Sequence, residues 1–322
     1  MKYLQFSNND RMPVLGLGTW KSAKGEIYQT VRKAIEIGYR HFDCALIYGN
    51  EHEIGQAISD AIDNNEINRD ELWITSKLWN NRHRKADIQP TIKITLDSLK
   101  LEYLDLYLIH WPVALINEVN YPQNGSEMVD LKHISLSETW QGMIALKEEK
   151  LTKHIGVSNF SIKKINQLIT ETGICPEALQ LELHPFLQQN KVVDFANANN
   201  IVLTGFCPLG SADRPINRIT EGEPKLFENK IIMDIANDKG HTNAQIMLAW
   251  AVNRGTSVIP KSVNSQRLKE NLMAADIELL PLEMENLNNL DQHYRYIKGD
   301  FWCLEGSGYT LENLWDEGWR NG

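Results

Sequence analysis

Short apolar runs alternate along the chain with longer stretches in which apolar positions recur every three or four residues. Eight runs read as strands, at residues 15–17, 39–42, 72–76, 104–109, 154–157, 178–181, 201–205 and 256–259. Eight amphipathic stretches read as helices, at 25–38, 51–64, 84–99, 136–149, 161–171, 191–199, 243–253 and 265–275. Gly38 and Gly173 stand where C-caps belong, and Asp70 and Ser161 suit helix starts. Strand–helix alternation implies parallel strands joined by crossover helices. Eight such units imply closure into a (β/α)8 TIM barrel rather than an open sheet. Ahead of it, residues 2–6 and 12–14 flank the turn Ser7-Asn8-Asn9-Asp10 and read as a β-hairpin.

Three segments stand outside this repeat: 113–133 after the fourth strand, 208–224 after the seventh, and the tail 277–322. In the tail, 282–290 has a helical pattern, and the remainder carries Phe301, Trp302, Tyr309, Trp315 and Trp319. Segments inserted after barrel strands gather at one face, where active sites form. No break in composition divides the chain, so residues 1–322 are read as one domain. Composition changes the picture little: 42% hydrophobic and 23% charged is globular. A formal net charge of −9 argues against a broad nucleic-acid-binding face. No apolar run approaches the roughly 18 residues that span a bilayer, and residues 1–9 carry no apolar targeting core. Cys44, Cys175, Cys207 and Cys303 lie far apart with no CxxC, so reduced thiols in a cytoplasm are expected. The expected state is a monomer or weak homodimer, without nucleic acid or membrane as partner.

The chemistry lies where the apolar runs stop. The second strand ends in Asp43, with Tyr48 in the loop beyond; the third ends in Lys77; the fourth ends in His110. On consecutive parallel strands these residues share the C-terminal face. A free tyrosine is a poor acid at neutral pH, and a neighbouring ammonium favours the phenolate, so Lys77 is expected to lower the pKa of Tyr48. A lysine in an apolar mouth needs a counter-ion, which Asp43 supplies. His110 suits orientation of a carbonyl. The set delivers a proton but holds no source of hydride, which implies a cofactor. The one GxG, Gly16-Leu17-Gly18, has Lys21 where a dinucleotide fingerprint needs its third glycine, so a Rossmann fold is not supported. The two glycines are read as permitting a tight turn beneath Trp20.

Five stretches resemble the aldo-keto reductases, a likeness that covers nearly the whole chain. They are Leu15-Gly16-Leu17-Gly18-Thr19-Trp20, Gly38-Tyr39-Arg40-His41-Phe42-Asp43, Leu108-Ile109-His110-Trp111-Pro112, Gly156-Val157-Ser158-Asn159-Phe160 and Ile259-Pro260-Lys261-Ser262. The resemblance implies Tyr48 as general acid, Asp43 and Lys77 as its tuning pair and His110 as the carbonyl-orienting residue. It implies a nucleotide extended across the barrel mouth, with Ser158, Asn159 and Gln180 on the nicotinamide carboxamide and Thr19 and Trp20 beside it. Phe206 holds the ring-stacking place where many relatives carry tyrosine, Cys207 replaces a common serine and Leu179 a common asparagine. The loop with Leu209, Ser211 and Asp213 resembles the segment that closes over the pyrophosphate. Lys261, Ser262 and Arg267 correspond to the site for a 2′-phosphate, and Glu270 and Asn271 to residues at the adenine. NADP(H) is therefore the expected cofactor, with NAD(H) second.

Trp20, Ile47, Trp79 and Trp111 are expected to wall an apolar substrate pocket. Whether the aromatic tail closes its last side or packs on the barrel's exterior stays open. The resulting expectation is an NADP-dependent reductase of small aldehydes or ketones, aldoses among the candidates. The alternative is an NADPH-binding regulatory subunit of the same fold with little catalysis. A metal-dependent hydrolase would need clustered ligands, and only His110 and His184 stand at strand ends.

Overall fold

The structure, a computed structural model, describes residues 2–317. Its centre is a ring of eight parallel strands: β1 (Leu17–Gly18), β2 (His41–Asp43), β3 (Trp73–Leu78), β4 (Leu104–Ile109), β5 (Thr152–Ser158), β6 (Ala178–Glu182), β7 (Val202–Phe206) and β8 (Ser257–Val258). Neighbours pair in chain order from β1 to β8. A parallel bridge between Leu15 and Val258 closes the ring; the Gly16 amide donates to the Val258 carbonyl at 2.9 Å and the Val258 amide to Val14 at 2.8 Å. Eight helices follow the strands: α1 (Glu26–Ile37), α2 (Glu51–Asp63), α3 (Lys85–Leu99), α4 (Leu136–Glu148), α5 (Ile162–Thr172), α6 (Asn190–Ala198), α8 (Asn243–Asn253) and α9 (Ser265–Met273). The (β/α)8 architecture expected from the hydrophobic pattern is therefore present.

Period-2 alternation sorts each strand's side chains between two cores. Ile74 and Leu78, Tyr107 and Ile109, and Leu179 and Leu181 face the helices in one large cluster. Trp73, Leu106, Leu108 and Ala178 face the barrel's interior. The same alternation turns Asp43, Lys77, His110, Ser158 and Gln180 inward at the C-terminal end. The N-terminal end is closed by the expected hairpin, Tyr3–Gln5 paired antiparallel with Arg11–Pro13, whose Phe6 and Met12 join the interior cluster. Helix ends follow local rules: Gly38 (φ 114°) and Gly173 (φ 75°) take the left-handed conformation that ends α1 and α5. The Ser161 hydroxyl accepts from the Lys164 amide at the start of α5.

Three local expectations need correction. Asp70 starts no α-helix; it lies in a 3-10 turn, Arg69–Glu71, capped by Asn68. Gly16 and Gly18 do not form a turn. A Cβ on Gly16 would stand 2.7 Å from the His41 ring and one on Gly18 2.7 Å from the Ile259 carbonyl, so these glycines permit close strand approach where the barrel closes. The span before β8 also holds an additional helix, α7 (Lys230–Lys239), capped by the Asn229 side chain. Beyond α9 the tail forms α10 (Pro281–Asn288) and α11 (Leu311–Trp315).

Candidate active site

Asp43, Lys77, Tyr48 and His110 meet at the C-terminal end of the barrel. Asp43 closes β2, a 3-10 turn (Leu46–Tyr48) brings the phenol back over it, Lys77 projects from β3, and His110 follows β4. The Lys77 ammonium, only 1% exposed, donates to Asp43 Oδ1 at 2.5 Å and to the Cys44 carbonyl at 2.8 Å. It lies 3.4 Å from the Tyr48 hydroxyl. Asp43 Oδ2 accepts from Gln180 Nε2 at 2.7 Å, and the Thr19 hydroxyl donates to the Asp43 carbonyl at 2.8 Å. A buried ion pair survives when further hydrogen bonds hold it, and both members here have them.

Burial works to deprotonate Lys77, but Asp43 and then Tyr48 outweigh it and hold the lysine above its ordinary pKa. Tyr48 moves opposite to the expectation. Burial pushes its phenol up to about 12, and the Lys77 charge acts against that push without reversing it. The ammonium does favour the phenolate, but removal of water from the phenol is the larger effect. His110 is driven well below its usual range, first by burial and then by Lys77, so its imidazole is neutral. Its Nδ1 is buried without a partner, which leaves Nε2 as the nitrogen able to face the cavity.

Asp43, Tyr48 and His110 form the floor of a cavity of about 580 Å3, with Lys77 buried behind them. Thr19, Trp20, Ser158, Asn159, Gln180, Phe206, Cys207, Leu209, Ser211, Asp213 and Lys261 line it. Ser262, Arg267, Glu270 and Asn271 do not; they lie beyond its edge, at and after the N-terminus of α9, which Asn264 caps. Asn159 and Cys207 hold positive φ values of 62° and 48°, uncommon for non-glycine residues. Asn159 Nδ2 donates to the His110 carbonyl at 3.0 Å and to the Ser158 hydroxyl at 3.1 Å, while its Oδ1 is buried with no partner. That orphaned acceptor fits the amide donor of a carboxamide. The Lys21 ammonium reaches across the groove to the Asp213 carbonyl at 2.9 Å, so the 208–213 loop is tied to the opposite rim. The residues present therefore suit an extended nicotinamide nucleotide.

On the other side of the floor, Trp20, Ile47, Trp79 and Trp111 line the cavity. The tail supplies two more, Phe301 and Trp302, while Trp315 packs behind Trp111 with ring centroids 5.8 Å apart and Tyr309 bonds to the 113–133 insert. The tail thus closes this side of the cavity, and Trp319 lies outside the described residues. Sequence reasoning did not single out Tyr121 and Gln123, from the first insert, or Arg218 and Phe227, beyond β7. Their one signal is position: both segments follow strands and so reach the mouth.

The aldo/keto reductase family profile matches residues 14–294. A protein described as an aldo/keto reductase from Synechocystis sp. is 50% identical over 317 residues, covering 98% of this chain and 97% of that protein. Aldo-keto reductase family 1 member A1 of Rattus norvegicus is 40% identical over 289 residues, covering 89% and 88%. A solved aldose reductase from Schistosoma japonicum superimposes with a TM-score of 0.85 at 35% identity, covering 94% of this chain and 96% of that one.

Proposed function

Since the chain belongs to the aldo/keto reductase family, a family of carbonyl-reducing oxidoreductases, we propose that it reduces small aldehydes or ketones to alcohols with NADPH, using Tyr48 as the acid. When bound, the nucleotide supplies the hydride. The observation that carries the reading is the Tyr48 hydroxyl 3.4 Å from a wholly buried ammonium, on the floor of the cavity that His110 also lines.

The phenol keeps its proton in the resting site, because burial outweighs Lys77. It then donates a hydrogen bond to the carbonyl oxygen. As that oxygen becomes an alkoxide, far more basic than a phenolate, the proton moves to it from Tyr48. The Lys77 ammonium stabilises the phenolate that remains, and Asp43 fixes the ammonium while compensating its burial. Neutral His110, protonated on Nε2, donates a second hydrogen bond that sets the carbonyl's direction. Trp20, Ile47, Trp79 and Trp111 exclude water around it.

Ser158, Asn159 and Gln180 would hold the carboxamide, Phe206 would stack on the ring, and Thr19, Trp20, Cys207, Leu209, Ser211 and Asp213 would enclose the remainder. Lys261, Ser262 and Arg267 would receive a 2′-phosphate, with Glu270 and Asn271 toward the adenine; hence NADP(H) before NAD(H). A single domain acting as a monomer in the cytoplasm completes the proposal.

The test is Tyr48→Phe. NADPH binding, read by quenching of tryptophan fluorescence, should persist, while kcat with glyceraldehyde falls by roughly 10²–10⁴-fold. Unaltered turnover would refute the assignment. A parent chain that binds NADPH and reduces no carbonyl compound would instead indicate the regulatory-subunit reading.

A further inference from the structure

At the outer rim of the cavity, Arg218 differs from the neighbouring cations Lys21 and Arg214, which are both engaged by carboxylates. The loop that carries it is firmly held. Arg214, only 4% exposed, donates from Nε to the Arg218 carbonyl at 2.9 Å and from Nη1 to the Ser211 carbonyl at 2.9 Å, and its Nη2 pairs with Glu223. The Arg218 amide closes a turn onto Pro215 at 2.8 Å. The side chain itself is exposed, lines the cavity, and lays its guanidinium 4.3 Å over the ring of Phe301. Phe301 in turn packs against Trp111 and Trp302, with ring centroids 5.7 and 5.0 Å apart. One face of the guanidinium thus rests on the substrate wall. Stacking uses the flat face of the ion and leaves its in-plane N–H donors free.

Those donors have no carboxylate partner among the described residues. Of the acidic groups lining the cavity, Asp43 is bound to Lys77 and Gln180, and Asp213 to Lys21. Lys21 is occupied by that contact, and Lys261 lies on the nucleotide side. One uncommitted cation, with a planar fork of donors, remains on the substrate wall.

We propose that the preferred substrates carry a carboxylate remote from the carbonyl, and that Arg218 receives it while Tyr48 and His110 engage the carbonyl end. The proposal rests on the reductase reading of the same site. One cation balances one charge, which favours a carboxylate over a phosphate dianion, and a guanidinium meets a carboxylate with two parallel hydrogen bonds. Arg218 touches no reacting atom, so it acts on specificity through binding.

The experiment compares 4-carboxybenzaldehyde with its neutral methyl ester, methyl 4-formylbenzoate, under NADPH, in the parent and in Arg218→Met and Arg218→Lys. In the parent, kcat/KM should favour the carboxylate by about tenfold or more, and about 0.5 M NaCl should narrow that margin. In R218M the carboxylated aldehyde should lose at least about tenfold, mostly through KM, while the ester stays within about twofold. R218K should recover part of the loss, as a charge without the fork. A parent that reduces both aldehydes equally overturns the inference and leaves the reductase reading intact. So does an R218M that slows both alike. A parent that reduces neither overturns the reading, and the inference with it.

Discussion

At the N-terminal end of the barrel, the buried His154 engages both ring nitrogens, with Asp10 at 2.9 Å and Glu177 at 3.0 Å, and packs against Phe6 and Trp73, its ring centroid 4.0 and 5.6 Å from theirs. At the C-terminal end, His110, also buried, leaves Nδ1 without a partner and Nε2 toward the cavity. The acidic groups differ in the same way. Asp105 is shared by Arg69 at 2.8 Å, Lys153 at 3.1 Å and the Ile74 amide at 2.9 Å, and both cations reach water. Asp43 and Lys77 pair with side chains only 3% and 1% exposed. One end pairs its buried histidine and aspartate and docks the hairpin plug; the atoms it leaves without partners, such as Trp73 Nε1 and Arg69 Nε, lie away from the cavity. The other seals charge away from water and leaves orphaned atoms for a guest. Barrels separate stability and function between their faces in this manner, and here the separation is visible in the two histidines and the two aspartates.

The largest expected effect breaks the sealed pair. In Lys77→Met, Asp43 is left buried without its cation, at about 3–5 kcal/mol of stability. Tyr48 also loses the charge that would hold its phenolate, so kcat should fall by roughly 10²–10⁴-fold. Urea unfolding and NADPH oxidation measure the two losses separately. Adding Asp43→Asn should restore most of the stability and none of the turnover. If turnover returned with stability, the ammonium would serve the fold alone, and the contrast between the ends would disappear.

The opposite end should show the opposite division. Phe6, 3% exposed, plugs the barrel against Trp73 and His154. Phe6→Ala should destabilise by about 3–5 kcal/mol, yet leave kcat of the folded fraction within about twofold. A tenfold fall in kcat at a temperature well below the transition would mean that the plug supports catalytic geometry directly, and the two ends would no longer be separable.

Much of this division was legible beforehand, because it rests on local signals. Alternating periodicities mark the strands and helices, and Asp43, Lys77 and His110 stand where apolar runs end, so the architecture and the central cluster follow from spacing. What escaped depends on packing. Reading one helix per strand left no place for α7, although Asn229 and Gly240 bracket it with ordinary cap chemistry. The net shift of Tyr48 depends on how much water the folded walls remove, which no neighbour in sequence reveals. The tail's aromatics look alike in sequence, and only the fold separates Phe301 and Trp302, at the cavity, from Trp315 behind them. Arg218 reads as one more solvated cation until the loop pinned by Arg214 lays it over Phe301.

The smallest effect concerns a carboxyl that belongs to neither pattern. Glu51 opens α2 just beyond the catalytic loop, on the outer side of the barrel wall. Its Oε1 accepts from the Ser76 hydroxyl at 2.5 Å, and its Oε2 is buried without a partner. Burial pushes its pKa from 4.5 up to about 7, against the pull of Ser76, Thr95 and Lys77. As pH rises from 4.5 the unfolded chain releases this proton first, so the folded state is progressively penalised until pH passes about 7. Glutamine has no proton to release. The stability of Glu51→Gln relative to the parent should therefore rise across that window and level off above it, by an amount on the order of 3 kcal/mol. Urea unfolding at closely spaced pH values reads the difference directly. A flat difference would mean that Glu51 is ionised throughout, held by Lys77 from behind the wall, and the sealed charge of the active end would then be a triad instead of a pair.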